Sequence, residues 1–236
     1  MYALILAGGR GERLRPITDT RPKPMAEVCG KPILHHQVLW LRHHGVSDIV
    51  FLVSYKWEVV KEYFGDGSAF GIRAHYSVEE TPLGRGGGLR QGLALVPQSE
   101  RLVLATNGDV LCPADLSAMV QHHQSRKAMA TVMLTALRSP YGIVEIDDAH
   151  MVTGFVEKPE LPHWINAGVY VLERSIEPLL PAKGDHEDTT FPQLAAQRKL
   201  AGFPIRVPWK SVDSHKDLRE AEPVAEALAK AVGAAS

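Results

Sequence analysis

Short apolar runs alternate with amphipathic stretches through the first two-thirds of the chain. Tyr2–Ala7 is apolar throughout and is predicted to be a strand that leads into a Gly-rich loop. From Pro32 to His44, Leu34, Val38 and Leu41 recur at helical spacing, with Pro32 suited to a helix start and Gly45 to its stop. The pattern then predicts a strand over Ile49–Ser54, a helix over Trp57–Phe64 and a strand over Ile72–Val78. A short helix over Leu89–Leu95 follows a glycine run. The strand Leu102–Ala105 ends near Asn107-Gly108-Asp109, ahead of a helix over Asp115–Gln124 and a strand over Ala128–Leu137. This βαβα rhythm predicts the α/β class, with a doubly wound and mostly parallel sheet. Ligands of such sheets sit beyond the carboxyl ends of the strands, so the loops after the first and fourth strands are the expected site.

The rhythm changes after Tyr141. Ile143–Ile146, Val152–Glu157 and Val169–Leu172 read as short strands, Thr190–Arg198 as a helix and Ile205–Pro208 as a further strand. Ser214–Val232 reads as a helix interrupted by Pro223. This part is expected to form a smaller α+β lobe built onto the first, in one compact unit without a linker.

Composition narrows the class. The chain has 236 residues and a formal net charge of −1, which argues against nucleic acid or an anionic membrane surface as main partner. No apolar run approaches the roughly 18 residues needed to span a bilayer, and no basic residue precedes the short opening run. A cytoplasmic protein is expected. Cys29 and Cys112 make neither a disulfide framework nor a zinc spacing and are expected to be reduced. Adjacent histidines such as His35-His36 and His43-His44 point about 100° apart on a helix and cannot chelate one ion.

The strongest chemical signal is the stretch from Leu6 and Ala7 through Gly8, Gly9, Arg10, Gly11, Glu12 and Arg13 to Arg15. Glycines let successive N–H groups approach an anion and form a nest for phosphate. Arg13 and Arg15 add guanidinium contacts. The dinucleotide fingerprint GxGxxG would begin at Gly9, but its last position is Leu14. The P-loop pattern also fails, because Gly30-Lys31 is followed by Pro32. Pro22 and Pro24 then hold Lys23 in a restricted backbone, where its charge could neutralise phosphoryl oxygens.

In order, GGRGERLRP, PKPM and Gly30-Lys31-Pro32 resemble the sugar-1-phosphate nucleotidylyltransferases, which make nucleoside-diphosphate sugars. Further matches follow in the family's order. They are EETPLGRGGG (Glu79 to Gly88), Asn107-Gly108-Asp109, Tyr141-Gly142, Glu157-Lys158-Pro159, Asn166-Ala167-Gly168 and Asp213. The resemblance implies a Rossmann-like sheet of the nucleotidyl-diphospho-sugar transferase type, with a nucleotide lobe over about 1–137 and a sugar-phosphate lobe over about 138–236. It leaves no length for the β-helix of longer relatives, and it allows a homodimer.

The resemblance also implies roles. Arg13 and Lys23 act on the triphosphate. Leu6, Ala7, Gly8, Gly9, Gly11, Glu79, Pro82, Gly84, Asn107 and Gly108 line the nucleotide site, with Leu83 to Gly88 close to base and ribose. Asp109 and Asp213 hold Mg²⁺, which needs one or two carboxylates plus substrate phosphates. The segment around Asp213, Ser-Val-Asp-Ser-His-Lys, departs from the usual Asp-Ile-Gly-Thr, and Asp217 is the alternative ligand. Tyr141, Gly142, Glu157, Lys158, Asn166 and Gly168 take the sugar phosphate. An ionised Glu79 is acceptor-only and suits the adjacent N1–H and N2–H donors of guanine, so GTP is expected over UTP. The sugar is expected to be mannose- or heptose-1-phosphate. Alternatives are a uridylyltransferase acting on N-acetylmuramate-1-phosphate and a non-catalytic nucleotide-sugar sensor.

Overall fold

The computed structural model describes residues 1–233. Seven strands form one sheet: β1 (Tyr2–Leu6), β2 (Asp48–Val53), β3 (Arg73–Val78), β4 (Leu102–Asn107), β5 (Ala130–Arg138), β6 (Glu160–Glu173) and β7 (Leu200–Pro204). Their spatial order is β3-β2-β1-β4-β6-β5-β7. Strands β3, β2, β1 and β4 run parallel, β6 is antiparallel to both β4 and β5, and β7 is parallel to β5.

Period-two alternation divides the core into two layers. Ala3 and Ile5 of β1, with Ile49 and Phe51 of β2, face the helices α1 (Ile33–His43), α2 (Trp57–Phe64), α4 (Leu116–Arg126) and α6 (His215–Ala231). Leu4, Val50 and Leu52 face the opposite layer of α3 (Gly84–Leu93) and α5 (Thr190–Ala196). Both faces of β2 are covered, which is why it is buried from end to end and is apolar from Ile49 to Val53.

Several expectations shift. The predicted strand Ile205–Pro208 is not formed. The edge strand is β7, displaced toward the N-terminus, and the ladder closes with the Ile205 N–H on Leu134 O at 2.9 Å. Pattern reading passed over it because Gly202 and Pro204 lower strand propensity, yet an edge tolerates proline. Helix α6 runs through Pro223 without a break. Pro223 and Arg219, whose carbonyl loses its partner, are both exposed, so water can satisfy that carbonyl. Helix α3 begins at Gly84, earlier than Leu89. The carbonyl of Gly184 accepts from the N–H groups of Gly86 and Gly87 at 2.9 and 3.2 Å and caps its first turn. Strand β6 is far longer than Val169–Leu172 and carries a register shift between Asn166 and Tyr170. Strands β5 to β7 extend the same sheet as β1 to β4, so that sheet is not confined to the first part of the chain. Ile143–Ile146 and Val152–Val156 pair as a separate exposed ribbon.

Candidate active site

A cleft of about 730 Å³ opens beyond the carboxyl ends of the parallel strands. Gly8, Gly9 and Arg10 reach it from the end of β1, Ser54 and Tyr55 from β2, Glu79 and Glu80 from β3, and Asn107 and Asp109 from β4. The parallel order of these strands places their carboxyl-end turns together, as the doubly wound pattern requires.

The Ala7 N–H continues the sheet, donating to Leu52 O at 2.8 Å, and the chain then leaves it. The N–H groups from Gly8 to Gly11 meet no acceptor among the described residues. Gly11 has φ +66°, and a Cβ there would lie 2.6 Å from Lys23 Cβ, so this position needs glycine on both counts. The Thr18 hydroxyl donates to Gly11 O at 2.9 Å and the Lys23 N–H to Gly9 O at 3.3 Å, which fastens the loop onto the segment carrying Lys23.

The Lys23 ammonium donates to both Asp109 and Asp213, the latter at 2.9 Å, and Arg13 lies 2.9 Å from the same Asp213 oxygen. Burial pushes the Lys23 ammonium down, but the two carboxylates outweigh it and hold its pKa above the ordinary value. A short antiparallel ladder sets the two aspartates side by side. Lys210–Ser211 pairs with Val110–Leu111, and the Val212 N–H donates to Asp109 O at 2.9 Å. Asp217 is occupied differently. It accepts from the Asp213 N–H at 3.2 Å and the Ser214 hydroxyl at 2.7 Å, and Lys210 lies 2.6 Å away. It builds the N-terminus of α6, whose cap is Ser214.

At the other end of the cleft, Glu79 Oε2 accepts from the Leu83 N–H at 3.0 Å, and burial raises its pKa. A Cβ on Gly88 would lie 2.6 Å from Glu79 Oε1. The other glycines of this run serve protein contacts as well. Cβ atoms on Gly84 and Gly87 would lie 2.8 Å from backbone of Gly184 and Ala182, respectively, and one on Gly86 would lie 2.7 Å from Pro181. Arg85 fastens that segment, with Asp185 at 2.8 Å and Glu187 at 2.9 Å.

The residues assigned to the sugar phosphate divide into two groups. Asn166 and Gly168 sit in the β6 bulge beside β4. Asn166 Oδ1 accepts from the Gly168 N–H at 2.8 Å, and its amide donates to the Tyr170 hydroxyl at 2.9 Å. Gly168 has φ +74°, and a Cβ there would be 2.7 Å from the Asn107 amide nitrogen. Tyr141, Gly142, Glu157 and Lys158 lie on or beside the exposed ribbon and do not line the cleft. Lys158 there lies 3.7 Å from Glu157.

A family model described as nucleotidyl transferase matches residues 2–227. The chain belongs to the nucleotidyl transferase family. It is 36% identical over 223 residues to a mannose-1-phosphate guanylyltransferase of Mycobacterium tuberculosis, covering 91% of this chain and 62% of that protein. It is 37% identical over 224 residues to a mannose-1-phosphate guanyltransferase of Yarrowia lipolytica, covering 92% and 62%. The chain thus spans about three-fifths of the length of these curated relatives. Among solved structures, HddC from Yersinia pseudotuberculosis complexed with GMP-PN superposes with a TM-score of 0.73 at 25% identity, over 94% of this chain and 98% of that one. A UDP-glucose pyrophosphorylase complexed with UDP-glucose superposes with a TM-score of 0.73 at 18% identity over 97% and 98%, and shows the shared fold.

For a nucleotidyl transferase the carboxylates suit a hard divalent cation. Asp109 Oδ1 is buried without a hydrogen-bond partner among the described residues, an oxygen left open for a ligand. Among the described residues no third metal-binding side chain joins Asp109 and Asp213, which matches the habit of Mg²⁺ to complete its shell from water and substrate phosphate. Ser54, Tyr55 and Asp185 also line the cleft, outside the motifs that the sequence singles out. Ser54 ends the predicted strand Ile49–Ser54 and Tyr55 follows it, a position at the carboxyl end of a strand that could have flagged both. Asp185 carries no local signal. Among the described residues no helix is long and apolar enough to cross a membrane.

Proposed function

We propose that this nucleotidyl transferase moves a guanylyl group from GTP to mannose-1-phosphate or a heptose-1-phosphate, releasing pyrophosphate, in the cytoplasm. The observation that carries the reading is the cluster of Lys23, Asp109, Asp213 and Arg13 beside a glycine loop whose N–H groups point to no protein acceptor. The names of the mannose-1-phosphate guanylyltransferase relatives support the base and the sugar class.

A sugar-phosphate oxygen attacks the α-phosphorus in line. One P–O bond forms, the bridge to the β-phosphorus breaks, and pyrophosphate leaves. The attacking phosphate is already ionised at neutral pH, so no side chain has to remove a proton from it. The chain's task is positioning and charge neutralisation. The loop Gly8–Gly11 cradles the triphosphate, while Arg13 and Lys23 neutralise its oxygens. Asp109 and Asp213 would hold Mg²⁺, which when bound supplies positive charge to the reacting phosphates. Glu79, with Oε2 tied to Leu83 and Oε1 facing the glycine face of α3, reads the guanine N–H edge beside Glu80. Asn166 and Gly168 shape the sugar end next to Asn107. Tyr141, Gly142, Glu157 and Lys158 meet the sugar phosphate from the ribbon, in the lobe beyond about residue 138.

The test is a matrix of four NTPs against several sugar 1-phosphates with Mg²⁺, scored by pyrophosphate release. GTP with mannose- or heptose-1-phosphate is expected to win. Release with UTP alone overturns the guanine reading, and no release in any pairing points to a binding protein.

A further inference from the structure

Gln37 lies in the middle of α1 and is fully buried among Ile33, Leu34, Trp40 and Leu41. A buried amide on an apolar helix face is unfavourable unless its donors are used. Both donors are used on one target. Gln37 Nε2 donates to Asn107 O at 2.8 Å and to Val110 O at 2.6 Å, the carbonyls on either side of Gly108-Asp109. Gln37 Oε1 is buried and meets no hydrogen-bond donor among the described residues, so its two donated bonds are what call for an amide here.

The same turn is held at two other points. The Gly108 N–H donates to Leu6 O and the Val212 N–H to Asp109 O, both at 2.9 Å. The fit at Gly108 is close, since a Cβ there would lie 2.7 Å from Leu6 O. Those two anchors are backbone to backbone. Gln37 supplies the side-chain anchor that spans the turn.

We infer that Gln37 is a positioning residue: its amide clamps the Asn107–Val110 turn and so sets the direction in which the Asp109 carboxylate meets a divalent cation. The inference rests on the reading of Asp109 as a metal ligand and adds the group that orients it. Outer-shell partners of this kind typically change metal affinity or activity by about 10- to 100-fold when removed. Trp40, one turn further along α1, provides the contrast. Its indole N–H donates to Ala114 O at 2.8 Å, beyond the carboxylate turn, so it anchors the core and not that turn.

The experiment uses the whole chain with a non-hydrolysable GTP analogue and titrates Mn²⁺, reading free Mn²⁺ by electron paramagnetic resonance. Thermal midpoint, kcat and KM for GTP are measured alongside. Asp109→Asn is the reference, Gln37→Met and Gln37→Leu are the test, and Trp40→Phe is the packing control. Gln37→Met keeps the length and the helix propensity, and so guards against simple misfolding. The expected result is Mn²⁺ affinity weakened about 10- to 100-fold in both Gln37 variants, with kcat lowered and KM for GTP within threefold. Trp40→Phe is expected to lower the thermal midpoint and leave Mn²⁺ affinity alone. If Asp109→Asn weakens Mn²⁺ binding while the Gln37 variants lose only thermal stability, Gln37 is a core residue and the inference fails. If Asp109→Asn itself leaves Mn²⁺ affinity unchanged, the metal reading fails and the inference with it.

Discussion

Replacing Lys23 with Met isolates the charge at the centre of the cleft. The stem of Lys23 packs against Gly11, and methionine preserves that contact while removing the ammonium. Lys23 and Asp109 have side-chain exposures of 15% and 18%, so their attraction is weakly screened. Asp213 is 37% exposed, and its contact counts for less. A preorganised charge aimed at developing negative charge is worth about 10²–10³ in kcat, or about 2.7–4 kcal/mol. Lys23→Met should therefore lower kcat by that factor. In the ligand-free protein the two carboxylates then face each other without their shared cation, at a cost of about 1–3 kcal/mol, between the values for exposed and buried pairs. For a chain of this size the thermal midpoint should fall by roughly 2–4 °C per kcal/mol. Because a competing cation has left the carboxylates, the Mg²⁺ concentration for half-maximal rate should not rise. The alkaline limb should change too. The pKa of Lys23 is raised in the folded state above its ordinary 10.5. Its contribution to stability is therefore complete below about 10.5 and is lost as pH rises through the higher folded value. Lys23→Met should lack that loss. The assay is pyrophosphate release under saturating GTP and sugar 1-phosphate, with thermal melts from pH 8 to 11. A variant that keeps kcat within threefold of wild type would show that the ammonium does not act on the phosphates.

Asp109→Asn should retain the wild-type circular dichroism spectrum and lose at least about 10²-fold in turnover, since the amide fills the same space without the charge. Gly168→Ala should lower stability by about 1–2 kcal/mol through backbone strain alone. It should also lower kcat, because the added methyl group pushes on Asn107 at the cleft; melts and steady-state rates would show both effects. Asp217 is tied to Lys210, Ser214 and the Asp213 N–H, which outweigh its burial and bring its pKa down to about 2. Its contribution is present above the ordinary 3.8 and is lost as pH falls through about 2, so Asp217→Asn should flatten the acid limb of a pH–stability curve over that window.

Local patterning read well where the chain obeys a local rule. The strands ending at Leu6, Val53 and Asn107 announce themselves by apolar runs, and α1 by its spacing and its flanking Pro32 and Gly45. The loop from Gly8 to Gly11 and the turn Asn107-Gly108-Asp109 follow the strands ending at Leu6 and Asn107, so this part of the cleft could be placed from strand order alone. Edge strand β7 and the unbroken α6 were misjudged because their proline and glycine rules assume interior positions. At an edge or on a solvent face the lost hydrogen bond is replaced by water.

Residue types and order along the chain by themselves determined the α/β class and the family, because helix and strand periodicity and turn chemistry act over a few residues. Partnership was decided by tertiary structure. Asp213 rather than Asp217 meets Asp109 because the Lys210–Ser211 ladder with Val110–Leu111 brings it there. Helix α3 starts at Gly84 because a carbonyl 100 residues further along, at Gly184, caps it. Gln37 reads in sequence as one polar residue on an apolar helix, and only its two distances to the Asp109 turn show what it holds. Such contacts depend on backbone ladders and close approaches between distant segments, which no local pattern encodes.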